Sequence, residues 1–533
     1  MTDRTVEVYD TTLRDGAQQE GMNLSVADKM AIAPLLDELG VGIIEGGWPG
    51  AVPKDTEFFA LANKELKFAN AQFAAFGMTR RAGSTAAADP QVRALVDSEA
   101  PIITVVAKTD IRHAERALRV SGDENLAMIE ETVAFLVGEG RRVVLDAEHF
   151  FDGYRFDPDY AVRALLAAEA GGASTLCLCD TNGGMLPHGV AQIVREVAAR
   201  TGTQLGMHAH NDSGCAVANS MAAVAAGVSH VQGCINGYGE RTGNADIVAV
   251  VANLELKLGA AALKGDGLQE ATRIAHAISE ITNIAPYPRQ PYVGASAFAH
   301  KAGLHASAIK VDPDLYQHTR PELVGNDMRM LVSEMAGRAS VELKGRELGF
   351  DLSGQNELLG RVTERVKNAE AAGYTYDAAD ASFELLLRDE LGEAPKYWEV
   401  ESWSVAVAST PGNPKAADAE AVIKVRAGGG LREVTVGEGN GPVNALDHAL
   451  RTALAKVYPQ IDHMELTDYK VRIMDASHGT DAVTRVLITT VDTTSGRTWR
   501  TVGVGPNMIE ASWEALTDAL LYGLLKGGVT PAP

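Results

Sequence analysis

The chain has 533 residues, which is too long for one ordinary hydrophobic core and predicts two to four domains. Its apolar fraction of 46% and charged fraction of 22% are typical of a globular protein in water. The 48 basic and 70 acidic side chains leave a formal charge of −22, which argues against nucleic acid or an anionic membrane as the main partner. Four cysteines do not build a disulfide framework. Neither a signal peptide nor an apolar run of membrane-spanning length is found, so we predict a cytoplasmic protein.

Eight short β-rich runs occur in the first 240 residues, about 32 residues apart. Segments with helical periodicity separate them, so strands and helices alternate along this part of the chain. Such alternation predicts a parallel sheet, and eight strands favour a closed (β/α)8 TIM barrel, in the α/β class, over an open sheet. The runs begin near Val6, Val41, Ala71, Pro101, Arg141, Ser174, Gln204 and His230.

The first predicted helix covers residues 25–39 and has the clearest boundaries. Ser25 followed by Asp28 is a start signal of the capping-box type, and Gly40 is a stop signal. Pro34 lies inside this segment, where a proline removes one backbone hydrogen bond, so we expect a kink there or a different boundary.

Polar side chains cluster where seven of the eight runs end. In a barrel of this type the active site lies at the carboxyl ends of the strands, so these side chains are expected to line one site. Their position is the strongest support for the barrel in the sequence. They are Asp10, Arg14, Asp15, Glu45, Lys108, Glu148, Asp180, Thr181, Asn182, His208, His210 and Asn236.

The pattern changes after residue 280, and we predict three domains. They are a catalytic barrel at 1–280, a linker with helical connector subdomains at 281–395, and a C-terminal α+β domain at 396–533. The last domain contains an internal strand–helix repeat, because Thr-Val-Gly-x-Gly at 435–439 recurs at 501–505, followed by matching alanines and leucines. A duplicated unit appended to an enzyme is typical of regulation or oligomerisation. Residues 527–533 are predicted to be a frayed tail.

A pair of histidines is the first sign of a metal site. His208 and His210 alternate along a predicted strand, so both side chains point to the same face and can converge on one ion. Asp15 adds an oxygen ligand from the end of run one, which neighbours run eight in a closed barrel, and Asn244 can add a carbonyl oxygen. Such a ligand set suits Zn²⁺, Mn²⁺, Co²⁺ or Mg²⁺, with positions open for substrate.

An open metal position in an acidic site suits a substrate that chelates through oxygen, such as a 2-oxo acid. Arg14 is expected to orient this substrate and stabilise the alkoxide that forms, unless it serves only in an ion pair with Asp10 or Glu148. Thr181 is a candidate donor to the substrate carboxylate. Glu148 is a candidate acid or charge partner, with a purely structural role as the alternative.

Three motifs resemble the signatures of one enzyme family. They are Asp-x-Thr-Leu-Arg-Asp-Gly-x-Gln at 10–18, His-x-His-Asn-Asp at 208–212 and Gly-Glu-Arg-x-Gly-Asn-Ala at 239–245. The family is that of the isopropylmalate, homocitrate and citramalate synthases, metal-dependent condensing barrels related to hydroxymethylglutaryl-CoA lyase. The resemblance covers nearly the whole chain, and Ile-Glu-Gly-Gly-Trp-Pro-Gly at 44–50 looks most like the branch that uses pyruvate.

The resemblance implies an acyltransferase that condenses acetyl-CoA with pyruvate and hydrolyses the thioester, giving (R)-citramalate and CoA for isoleucine biosynthesis. It also implies a divalent metal ion as cofactor and a homodimer as the assembly. The C-terminal repeat resembles the allosteric domain of isopropylmalate synthase, so isoleucine is the expected effector there.

The resemblance also implies roles for individual residues. Arg14 would act on the keto oxygen, Thr181 on the substrate carboxylate, and Glu148 near the acetyl-CoA methyl group. His305 and Tyr316 match a connector motif implicated in catalysis, often donated across a dimer interface, and His305 is the expected centre of the relay that acts as base. The metal ligands of the family match Asp15, His208, His210 and Asn244.

Three other functions are open at this point. An isopropylmalate synthase would take 2-oxoisovalerate instead of pyruvate. The two substrates differ by two methyl groups, so the space left by the pocket wall would determine which one binds. A lyase or aldolase on the same barrel is disfavoured by the duplicated C-terminal region, since feedback control suits a committed biosynthetic step. An inactive amino-acid sensor is disfavoured because every metal-ligand position is filled.

Overall fold

A computed structural model describes residues 5–409, 417–474 and 482–532 of the chain. The chain falls into two compact units. The first contains the residues up to 298 together with 319–327, and the second contains 299–318 and the chain from 328 onward. No helix within the described residues is both long and apolar enough to cross a membrane. The domain boundaries predicted at 280 and 395 stay predictions.

The first unit is a closed barrel of eight parallel strands, in which each strand pairs with the next and the eighth returns to the first. The predicted (β/α)8 barrel is therefore confirmed. Its strands are β1 (Glu7–Asp10), β2 (Ile43–Gly47), β3 (Gln72–Met78), β4 (Ile102–Lys108), β5 (Arg142–Glu148), β6 (Thr175–Asp180), β7 (Gln204–Ala209) and β8 (His230–Gly233).

Helices follow the strands, and their apolar faces pack on the sheet in one continuous core. They are α1 (Val26–Leu39), α2 (Pro53–Glu65), α3 (Pro90–Asp97), α4 (Ile111–His113), α5 (Gly122–Gly138), α6 (Phe150–Phe156), α7 (Pro158–Gly171), α8 (Pro187–Ala198), α9 (Ala216–Ala226), α10 (Ile247–Leu258) and α11 (Ala271–Thr282).

Helix α1 begins and ends where the sequence predicts. The Ser25 hydroxyl accepts from the Asp28 N–H while the Asp28 carboxylate accepts from the Ser25 N–H, so the capping box is complete. Gly40 ends the helix in the left-handed region, with φ of 93°. The helix continues through Pro34, which lies on the exposed face, where water can reach the carbonyl that the proline leaves unpaired.

A polar cluster at the amino end of the barrel connects three of its strands. Glu7 accepts two hydrogen bonds of 2.6 Å from the Arg142 guanidinium, and its Oε2 lies 2.8 Å from His230 Nδ1. Burial alone would raise the pKa of Glu7, but the hydrogen bonds from His230 and Arg142 lower it from 4.5 to about 2. The cluster therefore connects β1, β5 and β8 through one ionised carboxylate.

The second unit starts with short helices and one pair of short strands. The strands β9 (Ala299–His300) and β10 (Arg329–Met330) pair in parallel. A separate apolar core lies among the longer helices of this part. The helices are α12 (Gly303–Ile309), α13 (Arg338–Glu347), α14 (Asn356–Ala371) and α15 (Asp380–Leu391).

The C-terminal part of this unit consists of two three-stranded antiparallel sheets, each followed by a helix, as the internal repeat predicts. The first copy is β11 (Trp398–Ser409), β12 (Ala417–Ala427), β13 (Leu431–Gly439) and α16 (Pro442–Leu454). The second copy is β14 (Met464–Ile473), β15 (Thr484–Asp492), β16 (Thr498–Gly505) and α17 (Met508–Lys526).

An equivalent side-chain hydrogen bond is also present in each of the two copies. The Thr435 hydroxyl donates to the Ala449 carbonyl at 2.8 Å, and the Thr501 hydroxyl donates to the Ala515 carbonyl at 2.7 Å. The glycine two residues after each threonine lets the helix approach the sheet, since a Cβ on Gly503 would lie 2.0 Å from a helix carbonyl oxygen. The repeated Thr-Val-Gly-x-Gly segment is therefore a helix–sheet packing motif.

The predicted frayed tail is wrong for the residues that the structure describes. The Tyr397 hydroxyl donates to the Val529 carbonyl at 2.8 Å, and the Ala532 N–H donates to the Tyr458 hydroxyl at 3.0 Å. Val529 and Ala532 pack against an apolar core that contains residues of both repeat copies. Pro533 lies outside the described residues.

The Glu7 cluster yields a pH-dependent stability prediction. Because folding lowers the pKa of Glu7, its stabilisation is fully present above about pH 4.5 and is lost as the pH falls through about 2. We expect Glu7→Gln to cost about 2 kcal/mol at pH 7 and to lower the barrel's calorimetric Tm by about 5 °C. The Tm of the wild type should fall more steeply below pH 4.5 than that of the variant.

The matched control is Asp123→Asn, which removes an exposed ion pair with Arg163 and should leave the Tm unchanged within about 1 °C. Parallel Tm curves for Glu7→Gln and the wild type between pH 5 and 2 would contradict this account of the cluster.

Candidate active site

A cavity of about 320 Å³ opens at the carboxyl ends of the barrel strands. Each of the eight strands, or the loop after it, contributes to the lining, so the closed barrel brings together residues that are far apart in sequence. Of the seven barrel residues predicted for the site, six line this cavity. They are Arg14, Asp15, Glu148, Thr181, His208 and His210.

Three of these residues form a group that could hold a metal ion. The ligand atoms of Asp15, His208 and His210 all lie within 4.8 Å of one another, and all three side chains are buried. Asp15 Oδ2 is 3.3 Å from His208 Nε2 and 3.8 Å from His210 Nε2. Strand β7 positions both histidines, and the loop after β1 places Asp15 against them.

The electrostatics of the group suit a cation. Burial alone would raise the pKa of Asp15, but the Arg14 charge and the His208 hydrogen bond hold it well below its usual range. Burial and the charge of His208 lower the pKa of His210 to about 4. At neutral pH the group therefore contains an ionised carboxylate and at least one imidazole with a free nitrogen lone pair.

Asn244 lies beside this group through its backbone, which forms an antiparallel bridge with His210. Its Nδ2 donates to the Tyr238 carbonyl at 3.0 Å, whereas its Oδ1 is buried without a hydrogen-bond partner. A buried acceptor left unpaired costs about 1–3 kcal/mol. A bound cation is one partner that could satisfy this oxygen.

A second group of potential ligand atoms, Asp146, Cys177 and Cys179, lies in the barrel interior. Burial raises the pKa of Cys177 to about 11 and that of Cys179 well above its usual value, so neither thiolate is favoured. Both thiols pack in an apolar cluster with Tyr9. Cys177 and Cys179 are therefore apolar residues of strand β6.

Arg14 is held in place on two sides. Its Nε donates to Glu45 Oε2 at 2.6 Å, and its guanidinium lies 3.8 Å above the ring centre of Phe76. Its Nη1 is 3.7 Å from Asp15 Oδ2. The principal carboxylate partner of Arg14 is therefore Glu45, rather than Asp10 or Glu148, the two candidates from the sequence.

Asp10 belongs to the loop architecture. It accepts hydrogen bonds from Thr12 N–H and Oγ1–H and from the Ile235 N–H, and burial raises its pKa to about 7. These bonds connect the turn after β1 to the loop after β8, which supports the position of Arg14 and Asp15.

Glu148 is the last residue of β5, and Thr181 is the first residue after the neighbouring strand β6. Thr181 Oγ1 accepts from the His149 N–H at 2.8 Å, so its own hydroxyl proton is available to donate elsewhere. Glu148 forms an ion pair with Lys108, and its carbonyl accepts from the Thr109 hydroxyl at 2.8 Å. His149 adopts the left-handed region, with φ of 57°, where the chain turns into α6.

The two predicted connector residues meet in the second unit. The rings of His305 and Tyr316 have centroids 4.2 Å apart at an angle of 30°. Tyr316 is 39% exposed, and the neighbouring Leu304 is 75% exposed. The structure therefore pairs these residues with each other, while their part in catalysis stays a prediction.

Comparison with known proteins identifies the family. The family model described as HMGL-like matches residues 5–278. Two further models match the rest, one described as homocitrate synthase post-HMGL domain-like at 292–373 and one as the LeuA allosteric (dimerisation) domain at 377–524. The chain belongs to the HMGL-like family.

The relatives of this HMGL-like chain share its full length. A protein of Streptomyces coelicolor named (R)-citramalate synthase is 61% identical over 99% of this chain and 98% of its own. One of Aquifex aeolicus with the same name is 46% identical, with 98% of each chain covered. A probable 2-isopropylmalate synthase of Methanopyrus kandleri is 31% identical, with 97% of each chain covered. The family resemblance drawn from the motifs is thus confirmed.

Several residues of this HMGL-like site were missed in the sequence. Gln232 contacts His208, Asp146 contacts Gln232, and Arg241 lies 3.3 Å from His210 Nδ1 and forms an ion pair with Asp212. The alternation of inward-facing residues on β8 is a signal that could have found Gln232. The register that pairs it with His208 is visible only in the folded sheet.

Proposed function

We propose that the protein is an (R)-citramalate synthase, a divalent-metal-dependent acyltransferase that joins acetyl-CoA to pyruvate in isoleucine biosynthesis. The observation that carries the proposal is the meeting of Asp15, His208 and His210 with Arg14 at one barrel mouth. It occurs in a chain 61% identical to a protein named (R)-citramalate synthase. The cytoplasmic location stays a prediction.

The residues present fit a divalent metal ion. Asp15 supplies an oxygen, His208 and His210 supply nitrogens, and the unpartnered Oδ1 of Asn244 is a fourth candidate donor. When bound, the ion would act as a Lewis acid on the keto group of the 2-oxo acid and hold its carboxylate. Mn²⁺, Mg²⁺, Zn²⁺ and Co²⁺ all suit this donor set.

Arg14 is proposed to stabilise the alkoxide that forms when the acetyl carbon attacks the keto carbon. Its contacts with Glu45 and Phe76 fix the guanidinium before the substrate arrives, so no reorganisation is required at the moment of reaction. Its Nη1 lies 3.7 Å from Asp15 Oδ2 and is proposed as the donor to the keto oxygen.

Thr181 is proposed to bind the substrate carboxylate, and Glu148 to lie near the acetyl-CoA methyl group. The Thr181 hydroxyl keeps its proton for this purpose because Oγ1 already accepts from the His149 backbone. The ion pair of Glu148 with Lys108 places fixed charge in the lining of the same cavity. A thioester methyl is a weak acid, so such fixed charge helps the enolate form.

The base that removes the methyl proton is proposed to belong to a relay centred on His305, with Tyr316 beside it. In this proposal the protein is a homodimer and the connector acts across the subunit interface. The exposed side chains of Leu304, Val311 and Leu315 support the idea that another protein surface covers this connector.

The side chains of the cavity wall favour a small 2-oxo acid as the substrate. Trp48 and Phe76 meet edge to face, with centroids 5.3 Å apart, and Met78 and Leu118 also line the cavity. We propose that these bulky side chains leave room for a small 2-oxo acid, since displacing close-packed side chains is costly in a dense protein interior. Pyruvate carries one methyl group where 2-oxoisovalerate carries an isopropyl group.

Release of CoA against a panel of 2-oxo acids tests the proposed function. We expect kcat/KM for pyruvate to exceed that for 2-oxoisovalerate by at least about tenfold, since two methyl groups change binding by a few kcal/mol. Asp15→Asn should abolish both activities, because it removes the central metal ligand. A kcat/KM for 2-oxoisovalerate equal to or above that for pyruvate would contradict the assignment and favour isopropylmalate synthesis.

The C-terminal repeat is proposed to bind isoleucine and to inhibit the enzyme at a distance. A cavity of about 740 Å³ is lined by residues of both repeat copies, including apolar Val443, Leu466 and Met508 and charged Asp447 and Arg451. This combination suits an amino acid with a branched apolar side chain. The match to the LeuA allosteric (dimerisation) domain supports the same role.

Filling this cavity tests the effector proposal. Leu466→Trp should raise the isoleucine concentration for half-inhibition by at least about tenfold, because the added ring occupies space the effector needs. Its kcat/KM without isoleucine should equal that of the wild type. Leu258→Trp, a substitution at the exposed last residue of α10, is the control and should leave inhibition unchanged. If Leu466→Trp were half-inhibited at the same isoleucine concentration as the wild type, the proposal that the effector binds in this cavity would be contradicted.

A further inference from the structure

We propose that Gln232 is a positioning residue that fixes the tautomer of His208, so that Nε2 is the nitrogen offered to the metal ion. The inference rests on the proposed metal site and adds a residue to it. Gln232 lies on β8, is fully buried, and pairs in register with His208 on the neighbouring strand β7. Its Oε1 lies 2.9 Å from His208 Nδ1.

The direction of this hydrogen bond follows from groups deeper in the barrel. Glu7 is an ionised carboxylate that accepts two bonds from Arg142, so it can only accept from His230 as well. The 2.8 Å contact between Glu7 Oε2 and His230 Nδ1 therefore places a proton on Nδ1. In a neutral ring this leaves His230 Nε2 as an acceptor.

Gln232 can satisfy these neighbours in one orientation only. Its Nε2 donates to Asp146 Oδ1 at 2.8 Å and also faces His230 Nε2 at 3.5 Å. Both neighbours are acceptors, so the amide nitrogen must face them and the amide oxygen must face His208. The assignment of the amide thus comes from two independent contacts.

His208 must then donate. Because Gln232 Oε1 has no proton, His208 Nδ1 carries one, and this leaves Nε2 with a lone pair in the neutral ring. Nε2 is also the atom that lies 3.3 Å from Asp15 Oδ2, within the group of potential ligand atoms. One chain of hydrogen bonds from the amino end of the barrel therefore orients a ligand at the opposite end.

The energetic cost of burying this hydrogen-bond network also points to a function. Buried polar groups lower the stability of a core unless every member is satisfied, and apolar side chains of the same volume are often as good or better. Here Asp146, Gln232 and His230 occupy interior positions of the barrel with 3%, 0% and 0% exposure. A network kept at this cost is explained if it orients the metal ligand.

Metal binding without substrate tests the inference. Apoprotein would be titrated with Mn²⁺, with the free ion followed by electron paramagnetic resonance. Gln232→Met keeps the side-chain length but removes the acceptor, so we expect Kd for Mn²⁺ to rise by about 10–100-fold. The Co²⁺ absorption spectrum of this variant should also change, because His208 is no longer held in one orientation.

A double variant restores the acceptor with the same net charge. In Asp146→Asn/Gln232→Glu, the glutamate oxygen accepts from His208 Nδ1 and the asparagine amide donates to the glutamate. We expect its Kd for Mn²⁺ to stay within about threefold of the wild type, well below the shift of the single variant. Asn219→Leu removes a fully buried amide away from the metal group and is the control for lost packing alone.

Several results would overturn the proposal. These are an unchanged Kd in Gln232→Met, equal weakening in Gln232→Met and Asn219→Leu, or equal weakening in Gln232→Met and the double variant. Should Gln232→Met fail to fold, the double variant decides, because a Kd more than tenfold above the wild type would contradict the orientation argument. Each readout is independent of the reaction, so failure of the proposed function would show instead as wild-type metal binding without turnover on any 2-oxo acid.

Discussion

The pairing of β8 with β1 is the constraint on which the rest of the catalytic unit depends. Four residues of β1 are in parallel register with four of β8, from Glu7 opposite His230 to Asp10 opposite Gly233. This closure removes both edges of the sheet and places the turn after β1 on the same rim as the end of β7. Asp15 reaches His208 and His210 only because the sheet is closed.

Closure has a consequence inside the barrel as well as at its rim. Carboxylates from β1, β2 and β5 lie inside the barrel or at its amino end. Each accepts a hydrogen bond from a donor on another strand or loop: Glu7 from Arg142, Glu45 from Arg14, and Asp146 from Gln232. The fold holds fixed charges and dipoles in a dry interior, which is where electrostatic stabilisation is strongest.

Much of this arrangement could be predicted from the sequence because it depends on local signals. The spacing of β-rich runs, the Ser25–Asp28 capping box, the His208-x-His210 alternation and the repeated Thr-Val-Gly-x-Gly segment each reflect backbone geometry over a few residues. The contacts that were missed or misassigned join distant segments. The Glu45 partner of Arg14, the Gln232 partner of His208 and the packed tail at Val529 depend on register and packing, which one-dimensional spacing does not contain.

The central claim is that Asp15, His208 and His210 together hold a divalent metal ion at the barrel mouth. Anomalous diffraction at the zinc edge, from crystals of the apoprotein soaked with Zn²⁺, tests this claim most directly. The account predicts one strong peak about 2.0–2.2 Å from Asp15 Oδ2, His208 Nε2 and His210 Nε2. A peak at Asp146, Cys177 and Cys179 instead, or no peak within reach of Asp15, would contradict it.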